Sequence, residues 1–103
     1  MHRIAFSEEA QADALEAFRF YEERREGLGE RFRDHLDIAI SRIQETPELY
    51  PVVHRDLRRT LVERFPYFVL YRVYPGLVFV VAIMHAMRSP SVWKRRAARD
   101  EPG

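Results

Sequence analysis

The chain has 103 residues, 47% of them hydrophobic and 32% charged, with a net charge of +1; this suits one soluble globular domain and excludes a disordered chain. It has no cysteine, which rules out disulfides, thiol catalysis and thiolate metal sites. No run reaches the roughly eighteen apolar residues of a membrane span, and Met1-His2-Arg3-Ile4 opens no apolar leader, so a cytoplasmic protein is expected.

Arg3-Ile4-Ala5-Phe6 reads as a short strand. Ser7 follows at a helix N-cap position, with Glu8 and Glu9 facing the positive end of the helix dipole. Ala10, Ala14, Leu15, Phe18 and Tyr21 keep helical spacing, which predicts a helix ending near Glu26, before Gly27-Leu28-Gly29. A second helix is predicted from Glu30 to Glu45, with Phe32, Leu36, Ala39, Ile40 and Ile43 as its apolar stripe. Thr46-Pro47 ends it. So short a connection makes the two helices an antiparallel hairpin.

The remainder is strand-rich. Pro47 to Pro51 is a loop, Val52 to His54 a short edge segment, and Arg58 to Phe65 a strand that reverses near Pro66. Phe68 to Tyr74 is a further strand, followed by the turn Tyr74-Pro75-Gly76-Leu77. Leu77 to His85 is apolar on both faces and therefore expected inside the sheet. Simple alternation places Leu77, Phe79, Val81, Ile83 and His85 on one face, and Val78, Val80, Ala82 and Met84 on the other. Residues 97–103 read as a frayed tail behind a single domain of residues 1–96. The class is α+β, ordered β-α-α-β-β-β, with the N-terminal helical hairpin covering one face of a small, mainly antiparallel sheet. The other face is expected to be left for function.

Charge is unevenly placed. Residues 1–53 carry seven Arg against twelve Asp and Glu, a balance of −5, and residues 54–103 balance at +6. A basic C-terminal half calls for nucleic acid, an acidic protein segment, or the chain's own N-terminal half as counter-charge. Lys94 is the only lysine, and arginines clamp anions but rarely act as bases. Arg64, Arg72, His85 and Arg88 would converge on the open face if registers cooperate. That set would suit phosphodiester chemistry, with arginines for the developing charge and His85 or a tyrosine for the proton. The plainer reading is a framework histidine in an arginine-lined groove that grips an acidic peptide. His54, Arg55, Arg58 and Arg59 form a basic cluster, and Trp93 anchors a basic extension, Lys94-Arg95-Arg96. The four histidines are scattered, so no metal site and no cofactor are expected.

Several elements together resemble the RelE/ParE superfamily of type II toxin–antitoxin toxins, the plasmid-stabilisation proteins. They are Phe6-Ser7 before the Ala10/Asp13 helix, Tyr21, Gly27-Leu28-Gly29 with Arg31-Phe32, and Ile43 before Pro47. Arg64-Phe65-Pro66-Tyr67, Tyr71-Arg72, His85, Arg88, Pro90 and Trp93 complete the set. The resemblance implies a growth-inhibiting toxin neutralised by an antitoxin whose C-terminal segment wraps it in a hetero-oligomer. RelE-like members cleave mRNA on the ribosome; ParE-like members poison DNA gyrase. Cleavage chemistry could carry over only as Arg64, Arg72 and His85, since no lysine precedes Lys94 and no tyrosine follows Arg88. The well-formed hairpin is more ParE-like, so gyrase binding without catalysis is the expectation, with mRNA cleavage, or a non-toxic antitoxin-binding protein, as alternatives. Arg58, Arg59, Arg64, Arg72, Arg88 and Trp93 are the residues expected to meet antitoxin or target.

Overall fold

The computed structural model describes residues 1–99. Strand β1 (Arg3–Phe6) leads into helices α1 (Glu8–Arg24) and α2 (Leu28–Glu45). After a 3-10 turn (Pro47–Leu49) come β2 (Val52–His54), β3 (Leu57–Leu61), β4 (Tyr67–Tyr74), β5 (Leu77–His85) and helix α3 (Pro90–Arg99). The Ser7 hydroxyl caps α1 by accepting the Ala10 N–H at 3.0 Å, with Glu8 and Glu9 in the first turn. α1 ends at Arg24 and α2 starts at Leu28, each two residues earlier than the spacing predicts. The cause is Glu22, whose carboxylate accepts the N–H groups of Gly27 and Gly29 at 2.9 and 3.0 Å. Gly27 supplies the left-handed turn at φ 86°. Gly29 lets the helices touch, because a Cβ there would lie 2.6 Å from the Phe18 carbonyl oxygen.

The sheet order is β1-β5-β4-β3-β2. β1 runs parallel to β5, and every other pair is antiparallel. β5 is interior as expected, beside a central β4. Its simple alternation, however, fails. The β4–β5 register shifts between Leu70/Ala82 and Tyr71/Val80, which leaves Val81 as an extra residue, a β-bulge. Beyond the bulge the faces exchange. Ile83 and His85 therefore lie with Val78 and Val80, and Ala82 and Met84 lie with Phe79 and Val81. The bulge sits where β1 has ended, and α1 supplies its missing partners. The Val80 carbonyl accepts the Ser7 N–H at 3.0 Å, the Val81 carbonyl accepts the Ser7 hydroxyl at 3.1 Å, and the Ile83 N–H donates to Asp13 at 3.0 Å.

Each sheet face has its own core. Under the hairpin, Phe32, Leu36, Ile40 and Ile43 pack on Val69, Tyr71, Val78, Val80 and Ile83. The opposite face, expected to be open, is covered by α3, which sets Trp93 and Ala97 on Leu57, Leu70, Val81, Ala82 and Met84. Ala97 is only 1% exposed, so the tail expected to fray from this residue is helix through Arg99, and residues 100–103 lie outside the described set. Ion pairs fasten α3 to α1. Arg96 meets Asp13 at 2.6 Å and Glu9 at 3.4 Å, and Arg99 also pairs with Glu9. Part of the charge asymmetry is thus satisfied between the two halves of the chain.

Candidate functional site

β4 and β5 place Tyr67 directly opposite His85 at one end of the sheet, with ring centroids 5.3 Å apart. His85 is solvent-exposed. A tight turn follows it, in which the Pro66 carbonyl accepts the Ala86 N–H at 2.7 Å. The Met87 N–H donates to His85 Nδ1 at 3.0 Å. With Nδ1 used as an acceptor, the proton of the neutral ring sits on Nε2. In this conformation His85 offers a donor to solvent and has no free lone pair with which to act as a general base.

Arg72 is elsewhere. It faces the α3 side of the sheet and pairs with Phe79 across β5. Five residues of strand, about 17 Å, separate it from Tyr67. Its side chain is 1% exposed and donates Nε to Asp56 at 3.0 Å and Nη2 to the Ala97 carbonyl at 2.9 Å. The convergence expected of Arg72 with His85 does not occur, because the bulge turns His85 onto the hairpin side. Arg64 is exposed in the β3–β4 turn, in left-handed backbone at φ 68°. Arg58 is turned back onto the chain, its Nη1 donating to the Tyr50 and Glu48 carbonyls at 2.6 and 3.1 Å. The Arg59 guanidinium lies 4.1 Å above the Phe68 ring. Trp93 is core, 8% exposed. Arg88 is exposed just beyond β5. The structure therefore leaves Arg64, His85 and Arg88 exposed, and uses Arg58, Arg72 and Trp93 to hold the fold.

Two features escaped sequence reasoning. One is an apolar groove of about 420 Å³ between α1 and α2, lined by Phe6, Ala14, Leu15, Phe18, Leu36 and Ile40, with Arg33 and Asp37 also on its wall. Leu15 is 48% exposed there; an amphipathic pattern does not say how far two helices splay. The other is helix α3, which carries the basic extension that follows Trp93. Its signal was present, since Trp93 and Ala97 stand at i and i+4 behind Pro90 at a helix start. Burial pushes the Tyr71 hydroxyl up to about 12, against the pull of nearby Arg58. That hydroxyl donates to the Pro47 carbonyl at 2.6 Å, a structural role. Among the described residues no group of three or more His, Cys, Asp or Glu could hold a metal ion, and no helix is long and apolar enough to cross a membrane.

Solved structures share this architecture. The chromosomal ParDE system from P. aeruginosa matches with a TM-score of 0.73 and 16% identity, over 82% of this chain and 96% of that one. The isolated E. coli RelE toxin matches with a TM-score of 0.61 and 23% identity, over 96% and 98% of the two chains. A chain of the intact E. coli RelBE toxin–antitoxin complex gives 0.61 and 22%, over 85% and 100%. No curated protein matches the chain. The family model of the ParE toxin of the parDE type II toxin–antitoxin system matches residues 4–90. The chain belongs to this ParE family of toxins from type II toxin–antitoxin systems.

Proposed function

We propose that this toxin acts by binding rather than by catalysis, poisoning DNA gyrase in the cytoplasm, and that an antitoxin neutralises it by wrapping a C-terminal segment around it. The observation that carries the reading is the separation of Arg72 from His85. One is buried in an ion pair on the α3 face; the other is exposed on the hairpin side with its Nδ1 engaged. A hydrolytic site needs acid, base and charge stabiliser within hydrogen-bond reach of one reacting centre. A binder needs exposed anchors instead, and the hairpin groove with its half-exposed Leu15 offers them.

Ribosome-dependent mRNA cleavage is the rival, and with Arg72 buried it would have to be built from His85, Tyr67, Arg64 and Arg88. Inducing the chain alone in a bacterial host, with pulse labelling of DNA, RNA and protein synthesis, separates the two. Gyrase poisoning predicts an early fall in DNA synthesis with an SOS response, undiminished in His85→Ala. An early fall in translation that His85→Ala abolishes would sink the proposal, and harmless expression would make the chain a non-toxic antitoxin binder.

A further inference from the structure

Helix α1 turns Ala10, Ala17 and Tyr21 into the core and leaves its outer face exposed. Ala12, Glu16, Arg19 and Glu23 stand there at i, i+4, i+7 and i+11, a single stripe along the helix. Leu15 lies on one margin of the stripe and Phe20 on the other, and both are close to half exposed. These six residues line one open concavity of about 430 Å³. Large apolar side chains gathered around one hollow form a patch rather than scattered single exposures. Among the described residues no ion pair engages Glu16, Arg19 or Glu23.

The charges along the stripe limit what can cover it, because they run negative, positive, negative. A polyanion would be repelled by Glu16 and Glu23, and a polycation by Arg19. A wholly apolar segment would leave all three covered without a counter-charge. A second copy of the same helix answers the central pair. A two-fold axis perpendicular to α1, level with Ala17 and Phe18, would run the two copies antiparallel. Glu16 would then face the second copy's Arg19, and Arg19 its Glu16. Ala12, the smallest side chain of the stripe, would face Glu23 at either end and leave it room. Leu15 would lie beside its own counterpart along one margin, and Phe20 beside its counterpart along the other.

We infer that the outer face of α1 is an isologous interface through which two copies of this toxin pair, closed by reciprocal Glu16–Arg19 contacts. The inference holds whichever target the toxin has. One helix face makes a small interface, so the dimer should be reversible and dissociate on dilution. Sedimentation equilibrium of the purified full chain at low ionic strength, from micromolar to millimolar concentration, should show a monomer–dimer equilibrium that added salt weakens. Glu16→Arg and Arg19→Glu each turn two attractions into two repulsions, and each should weaken self-association by about tenfold or more. Mixed in equal amounts, the two variants should regain the dimer, because each reversed charge then meets its opposite. Both positions are exposed, so circular dichroism should show the fold unchanged. Asp37→Asn, on the wall of the hairpin groove, should associate like the parent. A parent that stays monomeric would overturn the inference and leave the face to a partner of other chemistry. So would a mixture that stays monomeric, single variants that pair like the parent, or an Asp37→Asn chain that loses association. DNA-synthesis labelling reads the gyrase proposal separately, so either can fail alone.

Discussion

Removing the charge of Asp56 takes a counter-charge from a buried cation, whereas removing the cation itself leaves Asp56 to water, and this asymmetry can be measured. Arg72 is 1% exposed and Asp56 65% exposed across a 3.0 Å contact. Asp56→Asn keeps an acceptor at the same place but withdraws the negative charge 3.0 Å from Nε. Breaking a fully buried pair costs about 3–5 kcal/mol; with one partner in water, about 2 kcal/mol is expected. Arg72→Met fills nearly the same volume without a charge. It returns Asp56 to water and leaves the Ala97 carbonyl without its donor, a loss of about 1 kcal/mol, which the relieved desolvation of the guanidinium offsets. The net change should lie within about 1 kcal/mol of zero. Arg72→Ala adds a cavity and should cost about 3 kcal/mol or more. Urea unfolding of the isolated chain followed by circular dichroism gives all three values. A cost for Arg72→Met as large as for Arg72→Ala, or none for Asp56→Asn, would refute the account. Arg72→Met should also inhibit growth as strongly as the parent. Lost inhibition with stability intact would make Arg72 a contact for the target rather than a support for α3.

Other expectations follow from single contacts. Tyr71 is protonated when folded up to about 12, against 10.0 for an unperturbed phenol. Its contribution is therefore fully present below pH 10 and is lost as pH rises towards 12, by about 3 kcal/mol in total; Tyr71→Phe should remove this alkaline slope from the unfolding free energy. Gly29→Ala forces a methyl group to within 2.6 Å of the Phe18 carbonyl and should cost about 2 kcal/mol in the same urea assay, with an unchanged value counting against close helix contact. Arg64→Gly relieves left-handed backbone at φ 68° and should gain about 0.5–1 kcal/mol, whereas a loss would reveal a side-chain contact that holds the turn. Charge reversal at exposed Arg64 should speed dissociation of the antitoxin complex if Arg64 is buried there, as surface plasmon resonance would read.

The hairpin was legible because its determinants are local. The stripe from Phe32 to Ile43, the Ser7 cap and the Gly27 turn all depend on neighbours within a few positions, and each stands where the spacing puts it. The roles of the polar residues were not legible. Along β4, alternation gives Arg72 the same standing as Phe68 and Leu70; Asp56, sixteen positions away, makes it a buried ion-pair member. His85 was assigned to the wrong face because one extra residue, Val81, reverses the alternation. That bulge is supported by Ser7 and Asp13, each at least seventy positions distant in sequence. Asp13, read in sequence only as part of a helix, joins α1, β5 and α3 through Ile83 and Arg96. The amino-acid sequence by itself determined the two helices of the hairpin, the turns and most strands, because periodicity and capping act over one or two turns of chain. Which arginines reach solvent, and which face His85 shares, were decided only by the tertiary structure, because burial and charge pairing depend on residues that folding alone brings together.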